Sequence, residues 1–179
     1  LQEIMVTDFR KQTTQMQNLD KDSYRLAADA TGGSVESLLT TMAGVNSSNE
    51  MSSQYSVRGG TYDENSVYIN GIEVYRPQLI SSGQQEGLSI INPDMVGSIG
   101  FSTGGFGVEY GDKMSSALDI TYREPESFEG AVSGSLMGAT LSIGQSSKIF
   151  SQLHGVRYKR NSSLLSSLET KGEYDPNFF

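Results

Sequence analysis

The apolar positions of this chain keep two rhythms. Val35, Leu38, Leu39 and Met42 stand at i, i+3, i+4 and i+7, one face of a helix. Ser34 supplies an N-cap, Glu36 falls in the first turn where the helix dipole favours an anion, and Gly44 is suited to the left-handed residue after the helix. The spacing predicts a helix of roughly two to three turns with its aliphatic face on a sheet. Elsewhere the period is that of strands. Leu1 to Val6 alternates polar and apolar, with β-branched Ile4 and Val6, and predicts a short strand, whereas Thr7 to Leu19 is polar and glutamine-rich, a loop or a weakly determined strand. Ser53–Arg58 reads as a strand that Gly59-Gly60 releases into the polar turn Thr61–Asn65. Ser66–Asn70 and Ile72–Tyr75 are alternating β-formers joined at Asn70-Gly71, a dipeptide that tolerates positive φ at both centres of a type I′ hairpin turn.

After that hairpin, Arg76-Pro77 to Gly87 is rich in Ser, Gln and Gly and predicts a connecting loop. Asn92-Pro93 pairs a cap with a first-turn proline, opening one turn through Val96 before a strand Ser98–Ser102. Gly104 to Gly111 holds four glycines and predicts a wide loop, and Ala117–Arg123 closes the sheet. Beyond Pro125 the texture changes. Phe128–Ile143 and Lys148–Tyr158 are β-like runs joined near Gly144–Ser147, each long enough for a transmembrane strand of roughly 9–11 residues. Their alternation is imperfect, so the pattern alone does not establish membrane exposure.

A chain of 179 residues can bury one good core, so one domain with an appendage is expected. The net charge of −8 argues against nucleic acid as a partner, because binding there needs a basic face. With no cysteine, disulfides and thiolate metal sites are excluded, and a single histidine, His154, leaves no zinc site to expect. No run approaches the roughly 18 apolar residues of a spanning helix. The chain starts at Leu1 without methionine and ends on Asp175-Pro176-Asn177-Phe178-Phe179, so a fragment of something larger is expected.

The chemistry-bearing motifs are few. Gly105-Phe106-Gly107 begins a dinucleotide fingerprint, but Tyr110 stands where the third glycine belongs. There is no P-loop, and Ala131-Val132-Ser133-Gly134 lacks the first glycine of a nucleophile elbow. His154, the one available base, lies in a strand-like run with Gln152 and Val156 on its face. No enzyme is expected, and no cofactor. Asp63, Glu64 and Asn65 cluster at a loop tip that is either a cation or sugar-hydroxyl contact or a solvated turn. Arg58, followed by two glycines, can hold a carboxylate through two parallel hydrogen bonds, and Glu109 or Asp112 of the same domain are alternative partners.

Four segments, in order, resemble the plug domain of TonB-dependent outer-membrane receptors. Ala43-Gly44-Val45 ends a helix where that family has Pro-Gly-Val. Ser56-Val57-Arg58-Gly59-Gly60 is similar to its Arg-Gly segment, and Val67-Tyr68-Ile69-Asn70-Gly71-Ile72 to its Asn-Gly hairpin. Ile91 to Ile120, with Gly104-Gly105, Glu109-Tyr110-Gly111 and Leu118-Asp119-Ile120, resembles the close of the plug. The departures are Ser102-Thr103 for Arg-Gly-Pro and Ala43 for proline.

The resemblance implies an α+β fold, a small mixed plug sheet with short helices over residues 1–124. Residues 125–179 would then be the incomplete start of an outer-membrane β-barrel, a first hairpin with two strands at most of about 22. It implies a non-enzymatic transport gate in the outer membrane, the plug lying in the barrel lumen and facing the periplasm. It implies as partners TonB with its inner-membrane energising complex, the remainder of the barrel, a surface lipoprotein, and a small-molecule, glycan or peptide substrate. Tyr62, Asp63, Glu64 and Asn65 become a ligand-side loop and Arg58 a contact to carboxylates of the barrel wall. Leu1, Ile4 and Val6 become either a TonB contact or the first plug strand. Without its barrel the tail would expose strand edges and self-associate or be disordered. The alternative is a soluble β-rich envelope binding or adhesion module that merely shares glycine-rich turns. A long series of further strands beyond Phe179 would separate the two.

Overall fold

The computed structural model describes residues 16–20, 33–47, 52–81, 84–135, 138–159 and 177–178. In chain order the elements are β1 (Gln17–Leu19), α1 (Val35–Leu39), β2 (Val45–Asn46), β3 (Ser56–Val57), β4 (Asn65–Ile69), β5 (Ile72–Glu73), β6 (Gln78–Ser81) and β7 (Gln84–Ser89). They continue as β8 (Val96–Ser102), β9 (Ser116–Tyr122), β10 (Glu129–Ser135), β11 (Gly138–Ser146), β12 (Ser151–Lys159) and β13 (Asn177–Phe178). Leu1–Val6 lies outside the described residues.

The first sheet has five strands in the order β1-β8-β9-β4-β5 and is mixed, since β4 and β9 run parallel while the other neighbours are antiparallel. Leu39, Val57, Ile91, Ile99, Phe101, Leu118 and Ile120 are fully buried between this sheet and α1, and Tyr55 meets the Phe101 ring edge-on at 6.2 Å. The β4–β5 hairpin forms as expected. Asn70 (φ 52) and Gly71 (φ 75) both take positive φ, the signature of a type I′ turn. Asn70 also clamps the parallel pair, its Oδ1 accepting from the Tyr122 N–H at 2.8 Å.

Several expectations are corrected. The helix spans only Val35–Leu39, held by a capping box in which Ser34 and Ser37 bond each other's backbone. Its early end has a cause. Thr40 and Thr41 donate their hydroxyls to the carbonyls of Ser37 and Leu38 at 2.7 Å, competing with further helical turns, and Gly44 (φ 83) then swings the chain into β2. Ser53–Arg58 pairs only over β3, because Arg58 (φ 51) and Gly59 (φ 83) form a tight turn closed by Gly60 N–H to Val57 O at 2.9 Å. The segment read as a connecting loop is instead the β6–β7 hairpin, which buries Leu79 against Leu88.

Beyond Pro125 the run Phe128–Ile143 breaks into β10 and β11, so the second sheet, β10-β11-β12-β13, contains more strands than the two expected. Its burial alternates along β11, and the register sets Val132, Leu141 and Val156 side by side.

Candidate functional site: a polar seam between two sheets

The second sheet lies against the first with its faces reversed from those of a water-soluble sheet. Val132, Leu141, Ile143 and Val156 point away from the first sheet and are exposed, 80%, 43%, 40% and 52%. The opposite face carries Ser133, Thr140, Ser142, Arg157 and Lys159, of which Ser142, Arg157 and Lys159 are buried. Burying a charge is tolerated only where partners meet it.

Those partners come from residues 89–95, the segment that runs from the end of β7 to the start of β8. Arg157 donates through Nη1 to the Ile91 carbonyl at 2.6 Å and through Nη2 to the Ser89 carbonyl. Asp94 Oδ2 accepts from Ser133 Oγ at 3.0 Å and Thr140 Oγ1 at 2.8 Å. The turn that aims Asp94 was legible in the sequence, since Asn92 caps it through Oδ1 to the Asp94 N–H at 3.2 Å and Pro93 follows. At the crossing between sheets Arg123 pairs with Glu129 and donates through Nε to the Asp94 carbonyl at 3.1 Å. Gly155 permits the approach, for a Cβ there would collide with Met95 Sδ and stand 2.8 Å from Asn92 Nδ2. A cleft of about 540 Å³ opens beside Met95, lined also by Tyr122, Arg123, Pro125 and Gln152 among others. The seam is thus joined by hydrogen bonds and by the Arg123–Glu129 ion pair.

Residues 10–117 match the TonB-dependent Receptor Plug Domain family. The chain belongs to that family. No curated protein matches it. Two solved structures of the ferric enterobactin receptor (PfeA) from Pseudomonas aeruginosa, both mutants, are similar to it. One aligns with a TM-score of 0.58 at 13% identity, covering 89% of this chain and 27% of that one. The other gives a TM-score of 0.56 at 15% identity with the same coverage. At such identities the likeness is one of fold, and the chain spans about a quarter of those receptors' length, 27%. Receptors of the plug family are outer-membrane proteins.

Within the plug, the loop-tip residues do not act as one group. Asn65 is buried, its Nδ2 donating to Tyr55 O at 2.8 Å and its Oδ1 accepting from Ser116 Oγ at 2.8 Å. Glu64 accepts from Ser115 Oγ at 2.7 Å. Asp63 is exposed and offers its carbonyl to Lys113 Nζ at 2.7 Å. Tyr62 is half-buried, and burial pushes its phenol well above the ordinary tyrosine value. Arg58 is exposed, and neither Glu109 nor Asp112 forms an ion pair with it among the described residues. His154 Nε2 lies 3.3 Å from Gln152 Oε1 on an exposed face. No group of three or more metal-ligating side chains occurs among the described residues.

Sequence reasoning missed Asp94, Arg157 and Lys159. Their signal was weak but present, two cations alternating with Val156 and Tyr158 in a strand-length run.

Proposed function

We propose that residues 1–124 form the stopper of an energy-coupled outer-membrane transporter, and that residues 125–179 begin the barrel around it. The observation that carries this reading is the reversal of β10, β11 and β12, with aliphatic side chains outward and hydroxyls and cations inward. A barrel strand in lipid has that arrangement, and a soluble adhesion module would bury the aliphatic face instead. A barrel of about 22 strands encloses a lumen wide enough to leak solutes, and a folded polar insert fills it. A hydrogen-bonded seam suits an insert that must yield on demand, because polar groups that part can bond to water.

In this reading substrate arrives from outside, and TonB with its inner-membrane complex draws on the start of the chain, where Leu1, Ile4 and Val6 are the contact candidates. Arg58 faces carboxylates of the wall. Tyr62 and Asp63 remain ligand-side candidates with Glu64, while Asn65 supports the tip from within. The tip precedes β4 and the Arg123 crossing follows β9, and since these strands are parallel the two lie at opposite ends of the sheet. The substrate class stays within small molecules, glycans and peptides, with a surface lipoprotein as a further partner. Cells carrying the whole receptor without residues 1–124 are expected to admit vancomycin, a molecule that the intact receptor keeps out. Equal exclusion by both would overturn the proposal.

A further inference from the structure

Glu36 is a carboxylate placed where few are tolerated. It lies in α1 with 5% of its surface exposed, and Oε2 has no hydrogen-bond partner among the described residues. Two buried cations of β12, Arg157 (3% exposed) and Lys159 (7%), act on it from across the seam. Yet Arg157 spends Nη1 and Nη2 on the carbonyls of Ile91 and Ser89, and its Nε finds no partner among the described residues. The Ser89 side chain and the backbone of Glu36 itself bond the Glu36 carboxylate. Glu36 Oε2 in α1 and Arg157 Nε in β12, of opposite charge, are therefore both buried without a hydrogen bond among the described residues, so the desolvation of each is offset only in part.

We infer that Glu36 is a release charge, a carboxylate incompletely matched by Arg157 that holds the seam between plug and wall ready to part. This rests on the proposed function. The groups facing Glu36 are the phenols of Tyr55, Tyr62 and Tyr122, the Ser89 hydroxyl, and the two cations, with Asp94 acting on Arg157 from the far side. The three phenols are held above the ordinary tyrosine value by burial and stay neutral in acid. Burial likewise holds the Glu36 carboxyl above the ordinary carboxylate range. The seated plug thus binds this proton more readily than a plug whose Glu36 is in water. Seating is strongest below the ordinary carboxylate value and weakens as pH rises through the raised one.

The test uses the purified full-length receptor in planar bilayers, with the urea dependence of conductance reporting the ratio of seated to unseated plug. At neutral pH, Glu36→Gln is expected to raise that ratio by about threefold or more. Arg157→Gln should lower it by about tenfold, through the loss of one cation facing the carboxylate and of the bonds to the Ile91 and Ser89 carbonyls, and the double variant should recover the part of that loss due to charge. Arg157→Lys, which keeps the charge, should lie closer to wild type than Arg157→Gln does. Acidification to about pH 5 should tighten the wild type and leave Glu36→Gln unmoved. A Glu36→Gln plug that is looser or unchanged, or a double variant as leaky as Arg157→Gln, would overturn the inference. A receptor lacking residues 1–124 that conducts without urea keeps the proposed function standing in that event, and one that does not conduct removes the proposed function itself.

Discussion

Asn65 ties the start of β4 to two distant strands with one side chain. Its amide satisfies the Tyr55 carbonyl and the Ser116 hydroxyl at once, both in the interior. Asn65→Ala would strand both groups, and a loss of about 1–3 kcal/mol is expected from urea unfolding of the full-length receptor's plug. Asn65→Asp should be worse than neutral replacement would suggest, since the carboxylate has no N–H to offer Tyr55 O. In the sequence this residue was indistinguishable from its neighbours Asp63 and Glu64, because composition reports polarity and burial is decided by what folds over the tip. Arg157 was hidden for the same reason. An arginine in a half-polar strand reads as solvated until its partners, here main-chain carbonyls about 66 and 68 residues away, are known.

Among the elements, those whose reason is local were legible and those stabilised by distant packing were not. The Asn70-Gly71 hairpin and the Asn92-Pro93 turn rest on backbone preferences that two residues carry, and both form where expected. Gly71→Val should cost about 1–2 kcal/mol, as β-branching disfavours its φ of 75, and should slow pairing of β5 without disturbing β8 and β9. The β6–β7 hairpin carries no such signal. Its strands, QLIS and QQEGLS, are rich in Gln and Ser and are held by Leu79 against Leu88 and by Ser53 donating to the Gly87 carbonyl. α1 was overestimated because periodicity counts apolar residues and is blind to the two threonine hydroxyls that end it. The strands beyond Pro125 yield a further prediction. Leu141→Arg, in the middle of the exposed row, should disfavour membrane insertion by about 2–4 kcal/mol and lower the receptor recovered in outer-membrane fractions. Thr140→Val, one residue away on the opposite face, should leave insertion intact and loosen the plug, since the Asp94 carboxylate loses a hydroxyl donor.

At the scale of the molecule, the two sheets solve different problems. The first buries an aliphatic core and is self-sufficient in that respect, whereas the second presents aliphatic side chains to its surroundings. The 179-residue chain alone in aqueous buffer is therefore expected to self-associate through β10 and the exposed row, and detergent should disperse it. Light scattering that found a monomer without detergent would contradict this. The general architecture followed from the plug resemblance, while the seam did not, because it is made by pairs of residues from segments whose mutual docking no local pattern records.

One edge of the first sheet is held by a short ladder at the N-terminal side of the described chain. β1 contributes only Gln17, Asn18 and Leu19, opposite Phe101, Gly100 and Ile99, and it lies at the edge rather than between neighbours. Tension applied to the residues before it would meet those few rungs first and tear them singly, while β8 and β9 behind them stay zipped. A force–extension trace taken from that end should begin with a small step at low load, and the sheet would come apart from its hem inward.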